Sequence, residues 1–177
     1  MVCDVCSVSS IHRILQRIAE RVRPNGRQLC IPAASCGVFR CAHINLLEEA
    51  AEHKVPCAVV TGAQRHSADV SLDLLGIRKY FAVIITQEDT AFRKPDPHPY
   101  LLASEHIGVS PAKCCAFEDT TIGITSAKSA GMFCIGIHHE GNTPMELAET
   151  DLMIQDFNDL KFECNGRSIK ISATITS

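Results

Sequence analysis

The stretch Cys114-Cys115-Ala116-Phe117-Glu118-Asp119-Thr120-Thr121-Ile122-Gly123 constrains the fold of this chain more than any other. Four apolar residues in succession, 114–117, suit a strand buried on both faces, because a half-exposed strand would alternate. Ile122, Ala127 and Ala130 then return at helical spacing, and Thr120 or Thr121 can cap the helix they begin. A strand that turns directly into a helix is part of a βαβ unit, and in an open parallel sheet ligands bind beyond the carboxyl ends of the strands. Glu118 and Asp119 therefore stand where a cation or a phosphate would be held. The plainer role for such a pair is to complement the positive end of the helix dipole.

The rest of the composition agrees with a packed α/β domain. Of 177 residues, 46% are hydrophobic and only 21% charged, which argues against disorder and for one compact core. The net charge is −3 and no basic run occurs, so nucleic acid and anionic membrane are poor partners, and any phosphate site must be local. Ten cysteines would suit a disulfide scaffold, but the chain is long and regularly patterned and no secretory apolar segment precedes them. Reduced thiols in a cytoplasmic protein are expected, with Cys57, Cys114, Cys115 and Cys134 acting as small hydrophobes inside apolar runs. Cys3 and Cys6 have the spacing of zinc ligands, yet no matching second pair follows, and His138 and His139 fall in a loop.

Taken in order, the chain begins with one amphipathic helix around Ile11, Ile14, Leu15 and Ile18, ended by the turn Pro24-Asn25-Gly26. Residues 29–35 read as a short strand or a linker. A helix over 41–54 would put Ile44, Leu47 and Ala51 inward and Glu48, Glu49 and Glu52 outward. A strand over 58–61, a helix over 67–75 closed by Gly76, and a strand over 81–86 follow. Pro95 and Pro97 interrupt the pattern, and a helix over 98–106 resumes it. Beyond the central motif come a strand over 133–137, a short helix over 144–148 and a strand over 152–154. The alternation in 168–177 reads as a half-buried strand. Strands alternating with helices imply a doubly wound, mostly parallel, Rossmann-like sheet.

Three strand ends in this order carry complementary polar groups. Thr61, with Gly62 and Ala63, offers a hydroxyl and backbone N–H groups to phosphate oxygens, and Lys94, ahead of a proline-rich turn, offers a point charge. Glu118 and Asp119 offer carboxylates to a cation. Singly, each has a modest alternative: Thr61 as a helix cap, Lys94 as a surface lysine.

Together these segments resemble the haloacid dehalogenase-like hydrolases, in the branch of β-phosphoglucomutase and the sugar-phosphate phosphatases. Val59-Val60-Thr61-Gly62-Ala63 is similar to the family's second motif, Lys94-Pro95-Asp96-Pro97 to the third, and Phe117-Glu118-Asp119-Thr120-Thr121-Ile122-Gly123 with Ala130-Gly131-Met132 to the fourth. The resemblance covers roughly 41–160. It implies an Mg²⁺-dependent phosphohydrolase or phosphomutase acting on a small phosphorylated metabolite. Thr61, Gly62 and Ala63 would bind the phosphoryl group, Lys94 would stabilise it, Asp119 would ligate Mg²⁺ and Glu118 would assist. Gly123 would permit close helix packing and Gly131 would end the helix.

The family's first motif, Asp-x-Asp at the end of a central strand, has no counterpart here. Its nearest remnant is Asp4 in Val2-Cys3-Asp4-Val5-Cys6-Ser7, where Asp4 would mimic the nucleophile and Cys6 replaces the general acid/base. The interval from Asp4 to Thr61 is too short for the family's usual helical cap, which is absent or reduced to the helix near Ile11. Residues 1–35 are accordingly expected to form a degenerate cap or linker, and 36–177 the core domain. With the first strand missing, 29–35, the C-terminal tail or a partner chain should fill the gap between the strands ending at Thr61 and Asp119. Impaired turnover, a phosphate-binding protein without turnover and a truncated gene product are the alternatives. A receiver-type signalling domain shares the Asp, Lys and Thr, but its spacings differ.

Overall fold

The computed structural model describes residues 2–3, 5–8, 41–138, 143–155, 160–165 and 168–173. In chain order the strands are β1 (Val2–Cys3), β2 (Val5–Val8), β3 (Cys57–Val60), β4 (Phe81–Ile85), β5 (Cys114–Glu118), β6 (Phe133–Ile137), β7 (Leu152–Ile154), β8 (Leu160–Asn165) and β9 (Ser168–Ala173). The helices between them are α1 (Cys41–Glu52), α2 (Arg65–Leu74), α3 (His98–Ile107) and α4 (Thr121–Ser129).

Six strands form one parallel sheet in the order β4-β3-β2-β5-β6-β7. Both faces of its centre are buried, and strand parity divides them. Cys57 and Val59 of β3, with Cys115 and Phe117 of β5, join a core that includes Leu46, Leu47 and Ala50 of α1 and Leu72 of α2. Ala58, Val60, Cys114 and Ala116 point the other way, into a core with Tyr100 and Ala103 of α3 and Ile124 and Ala127 of α4. The same parity sends Glu118 to the α3/α4 side of the sheet. The fold is the doubly wound α/β sheet expected from the sequence, with a separate antiparallel sheet β1-β9-β8 beside it.

The strand between β3 and β5 is none of the three expected to fill the gap, and comes instead from the stretch read as the nearest remnant of the first motif. It is β2, with Cys6 opposite Cys57 on one side and Cys115 on the other, and Val8 opposite Phe117. The core sheet thus draws on residues well before the boundary expected at 35. The tail expected as a strand forms β9, which pairs with β1 and β8 rather than entering the gap. Residues 29–35 and the helix expected near Ile11 lie outside the described residues.

Two helical faces also differ in detail. In α1 the buried side chains are Leu46, Leu47 and Ala50, while Ala51 is exposed, so the inward stripe is rotated from the expected one. In α4 the buried positions are Gly123, Ile124, Ser126 and Ala127, and Ile122 is 56% exposed. The acidic pair sets this phase, because the helix must start directly beyond Asp119 and pack its second turn on the sheet.

Candidate active site

Lys94 ties the site together. It follows β4 in a turn where Asp96 N–H donates to Arg93 O at 2.9 Å and His98 N–H to the Asp96 carboxylate at 2.8 Å. Ser126 of α4, fully buried, donates its hydroxyl to Asp96 O at 2.6 Å and fastens the turn to the sheet's α3/α4 side. The Lys94 side chain then reaches inward. Its ammonium donates to Val60 O at 3.1 Å, to the Tyr100 hydroxyl at 3.2 Å and to Glu118 Oε1 at 2.5 Å. Val60 ends β3 and Glu118 ends β5, and β2 runs between those strands, so the ammonium lies across the carboxyl end of β2.

Glu118 is 1% exposed and would be costly to bury as an ion without partners. Lys94 supplies the counter-charge, and the Tyr100 hydroxyl donates to the same oxygen, Oε1. The carboxylate lies against Gly123, where any added Cβ would overlap Cδ and both oxygens. Glycine at 123 is therefore a steric requirement of the Glu118 position, as well as a helix-packing residue. Asp119, 6% exposed, continues from Glu118 into α4, and the Thr120 hydroxyl caps that helix by accepting from Gly123 N–H at 3.3 Å.

Thr61 stands beyond β3. Its N–H donates to Ile85 O at 2.9 Å, continuing the ladder to β4, and its hydroxyl accepts from Ala63 N–H at 3.2 Å. Gly62 is exposed, with open space where a side chain would be. Neighbouring β4 ends in a clamp that periodicity does not reveal. Thr86 donates to Asp89 Oδ2 from its N–H at 2.7 Å and its hydroxyl at 2.6 Å, and Arg65 pairs with the same oxygen while donating to Ile84 O at 2.9 Å. Partial burial pushes the Asp89 carboxyl up, but the Thr86 and Arg65 contacts together outweigh it and hold the group below its ordinary value.

Thr61, Lys94, Glu118 and Asp119 thus meet at one carboxyl edge, from β3, the turn after β4, and β5. Asp4 lies outside the described residues. Val5, which follows it, is opposite Cys114, the first residue of β5, and Cys6 is opposite Cys115 in the strand interior. At about 3.3 Å per residue, Val5 is about 10 Å back from Val8 at the carboxyl end. The residues that β2 carries toward the site are Ser7 and Val8, neither of them an acid.

Tyr100, Ser126 and the Asp89 clamp escape a reading of the sequence. Tyr100 follows Lys94 by six residues and looks like one more apolar position of α3. Only the parity that turns Glu118 toward α3 reveals what its hydroxyl meets.

Fold and site together define a doubly wound α/β protein with a buried ion pair at the carboxyl edge of its sheet. Residues 39–137 match the haloacid dehalogenase-like hydrolase family, and the chain belongs to it. A validoxylamine A 7'-phosphate phosphatase of Streptomyces hygroscopicus subsp. limoneus is 35% identical over 127 residues, covering 71% of this chain and 58% of the relative. The fructose-1-phosphate phosphatase of Escherichia coli (strain K12) is 37% identical over 82 residues, 46% of this chain and 44% of the relative. Among solved structures, a β-phosphoglucomutase from Clostridium difficile superposes with a TM-score of 0.61 at 25% identity, covering 68% of this chain and 51% of that one. The chain therefore spans about half the length of these relatives. Among the described residues no helix is long and apolar enough to cross a membrane.

Proposed function

We propose that this chain carries the phosphate and cation half of a haloacid dehalogenase-like phosphohydrolase or phosphomutase site for a small sugar phosphate, with turnover impaired. The observation that supports it is the Lys94 ammonium bound to both Val60 O and Glu118, which sets one cation across the exit of β2 beside Thr61 and Asp119. A transferring phosphoryl group develops charge on its oxygens, and a fixed cation with oriented donors stabilises it. The Thr61 hydroxyl accepts from Ala63 N–H and so has its own proton to donate, while Lys94 supplies the charge. The phosphatase and mutase names of the relatives support the substrate class.

Mg²⁺ fits this edge in a limited way. Among the described residues no three histidine, cysteine or acidic side chains converge, but Mg²⁺ needs only one or two carboxylates when waters and phosphate oxygens complete its shell. Asp119 is the carboxylate to hold it, since Glu118 Oε1 already serves Lys94 and Tyr100. When bound, the ion would neutralise developing charge on phosphoryl oxygens. The cytoplasm is the compartment we assign, which the reading of the cysteines as reduced thiols supports.

Impairment follows from β2. Aspartyl-phosphate chemistry needs a carboxylate in line with phosphorus, and β2 brings Ser7 and Val8 toward the edge instead. The same fact favours a second reading, a binding protein that holds phosphomonoesters without hydrolysing them. Calorimetric titration of Mg²⁺ into the protein and its Asp119→Asn variant tests the cation half: about tenfold or greater weakening is expected, since a formal charge is lost while shape is kept. Unchanged Mg²⁺ affinity removes Asp119 from the site.

A further inference from the structure

Tyr100 has no role in the motifs above, yet it touches both members of the central ion pair. It is fully buried in the first turn of α3. Its hydroxyl donates to Glu118 Oε1 and accepts from Lys94 Nζ at 3.2 Å, and the same ammonium lies 4.7 Å from the centroid of its ring. From this three-way contact we infer that Tyr100 is a positioning residue, whose hydroxyl shares the charge of Glu118 and so leaves the Lys94 ammonium available to an incoming phosphate. The inference rests on the phosphate-site reading.

Relative strengths carry the argument. A lysine ammonium has three protons, and here they go to Glu118 at 2.5 Å, Val60 O at 3.1 Å and Tyr100 at 3.2 Å, so an incoming phosphate oxygen takes over one of the two longer contacts while Glu118 keeps its own. The contact with Glu118 is ion to ion and short, so it dominates. Were Lys94 the only donor to Oε1, the ammonium would be drawn more tightly onto Glu118. A second donor on the same oxygen weakens that hold. Tyrosine suits the place because its hydroxyl proton goes to the acid while its oxygen and ring face both favour the cation.

The test is Tyr100→Phe in the full chain, which keeps the ring and its packing and removes only the hydroxyl. Titration with orthovanadate should show binding weakened about tenfold, the size expected for one hydrogen bond to a charged group, with Mg²⁺ affinity unchanged. A merely structural role would lower vanadate and Mg²⁺ affinity together, and that result overturns the inference, as does equal or tighter vanadate binding. Absence of vanadate binding in the unmodified protein would refute the phosphate site itself. The Tyr100 inference is then read from amine acylation mapped by mass spectrometry. Lys94 should react severalfold more slowly in the Phe variant than in the unmodified chain, with Lys113 as the internal reference, and an equal or faster rate overturns it.

Discussion

At the scale of single residues, the site is a set of charges made tolerable by partners. Lys94→Ala removes the counter-ion of a carboxylate that is 1% exposed, so it is expected to destabilise the protein by about 3 kcal/mol as well as to abolish vanadate binding. Lys54→Ala, at an exposed position, should leave both nearly unchanged; thermal denaturation and vanadate titration of the two variants measure the contrast. Gly123→Ala would overlap both oxygens of the Glu118 carboxylate, which Lys94 and Tyr100 hold in place through Oε1. Overpacking of this kind costs about 1–3 kcal/mol, and a denaturant midpoint equal to that of the unmodified chain would show that Glu118 moves aside.

At the scale of elements, most of the fold was legible because each strand and helix has its own pattern. The apolar runs of β3, β5 and β6 announce strands buried on both faces, and Gly76, Gly108 and Gly131, each at positive φ, stand just past the helices they end. β2 was not legible. Four residues, Val-Cys-Ser-Val, contain too little pattern to distinguish a central strand from a terminus, and their meaning comes from the edges of β3 and β5, which leave backbone groups unpaired without them. The Asp89 clamp was hidden for a similar reason, since it joins the end of β4 to the start of α2 across a sequence gap that no period spans. Because the folded carboxyl of Asp89 lies below its ordinary value of 3.8, its contribution is present above about pH 4 and is lost as pH falls through the folded value. Asp89→Asn should therefore cost about 1 kcal/mol at pH 7 in this partly exposed position, and the gap from the unmodified chain should narrow below pH 4. Urea denaturation at pH 7, 5 and 3.5 measures it, and a constant gap would mean that the contacts act without the charge.

The whole molecule couples its stability and its chemistry to the same buried centre. Burial, with Glu118 and Asp151 nearby, pushes the Cys134 thiol from 9.0 up to about 12. A raised folded value gives stability that is complete below pH 9 and lost as pH climbs toward 12, at up to about 1.4 kcal/mol per unit. Cys134→Ala should flatten the alkaline decline seen by denaturant titration between pH 8 and 11; parallel curves would assign the decline to other groups. The final expectation concerns turnover, and it follows from where β2 ends. Lys94, Thr61 and Asp119 stand at one edge, while Val5, the neighbour of Asp4, pairs at the far end of β5 and Cys6 sits inside the strand. General acid/base catalysis alone is worth about a hundred to ten thousand fold, and a displacement of about 1 Å from the reacting geometry costs about a hundred fold. Phosphate release from hexose and pentose phosphates by the chain as written should therefore be feeble even with Mg²⁺, and Asp4→Asn should change it little. Robust release abolished by Asp4→Asn would make Asp4 the nucleophile and require that β2 slide along its neighbours to deliver it; robust release indifferent to that change would place the catalytic carboxylate elsewhere in the chain.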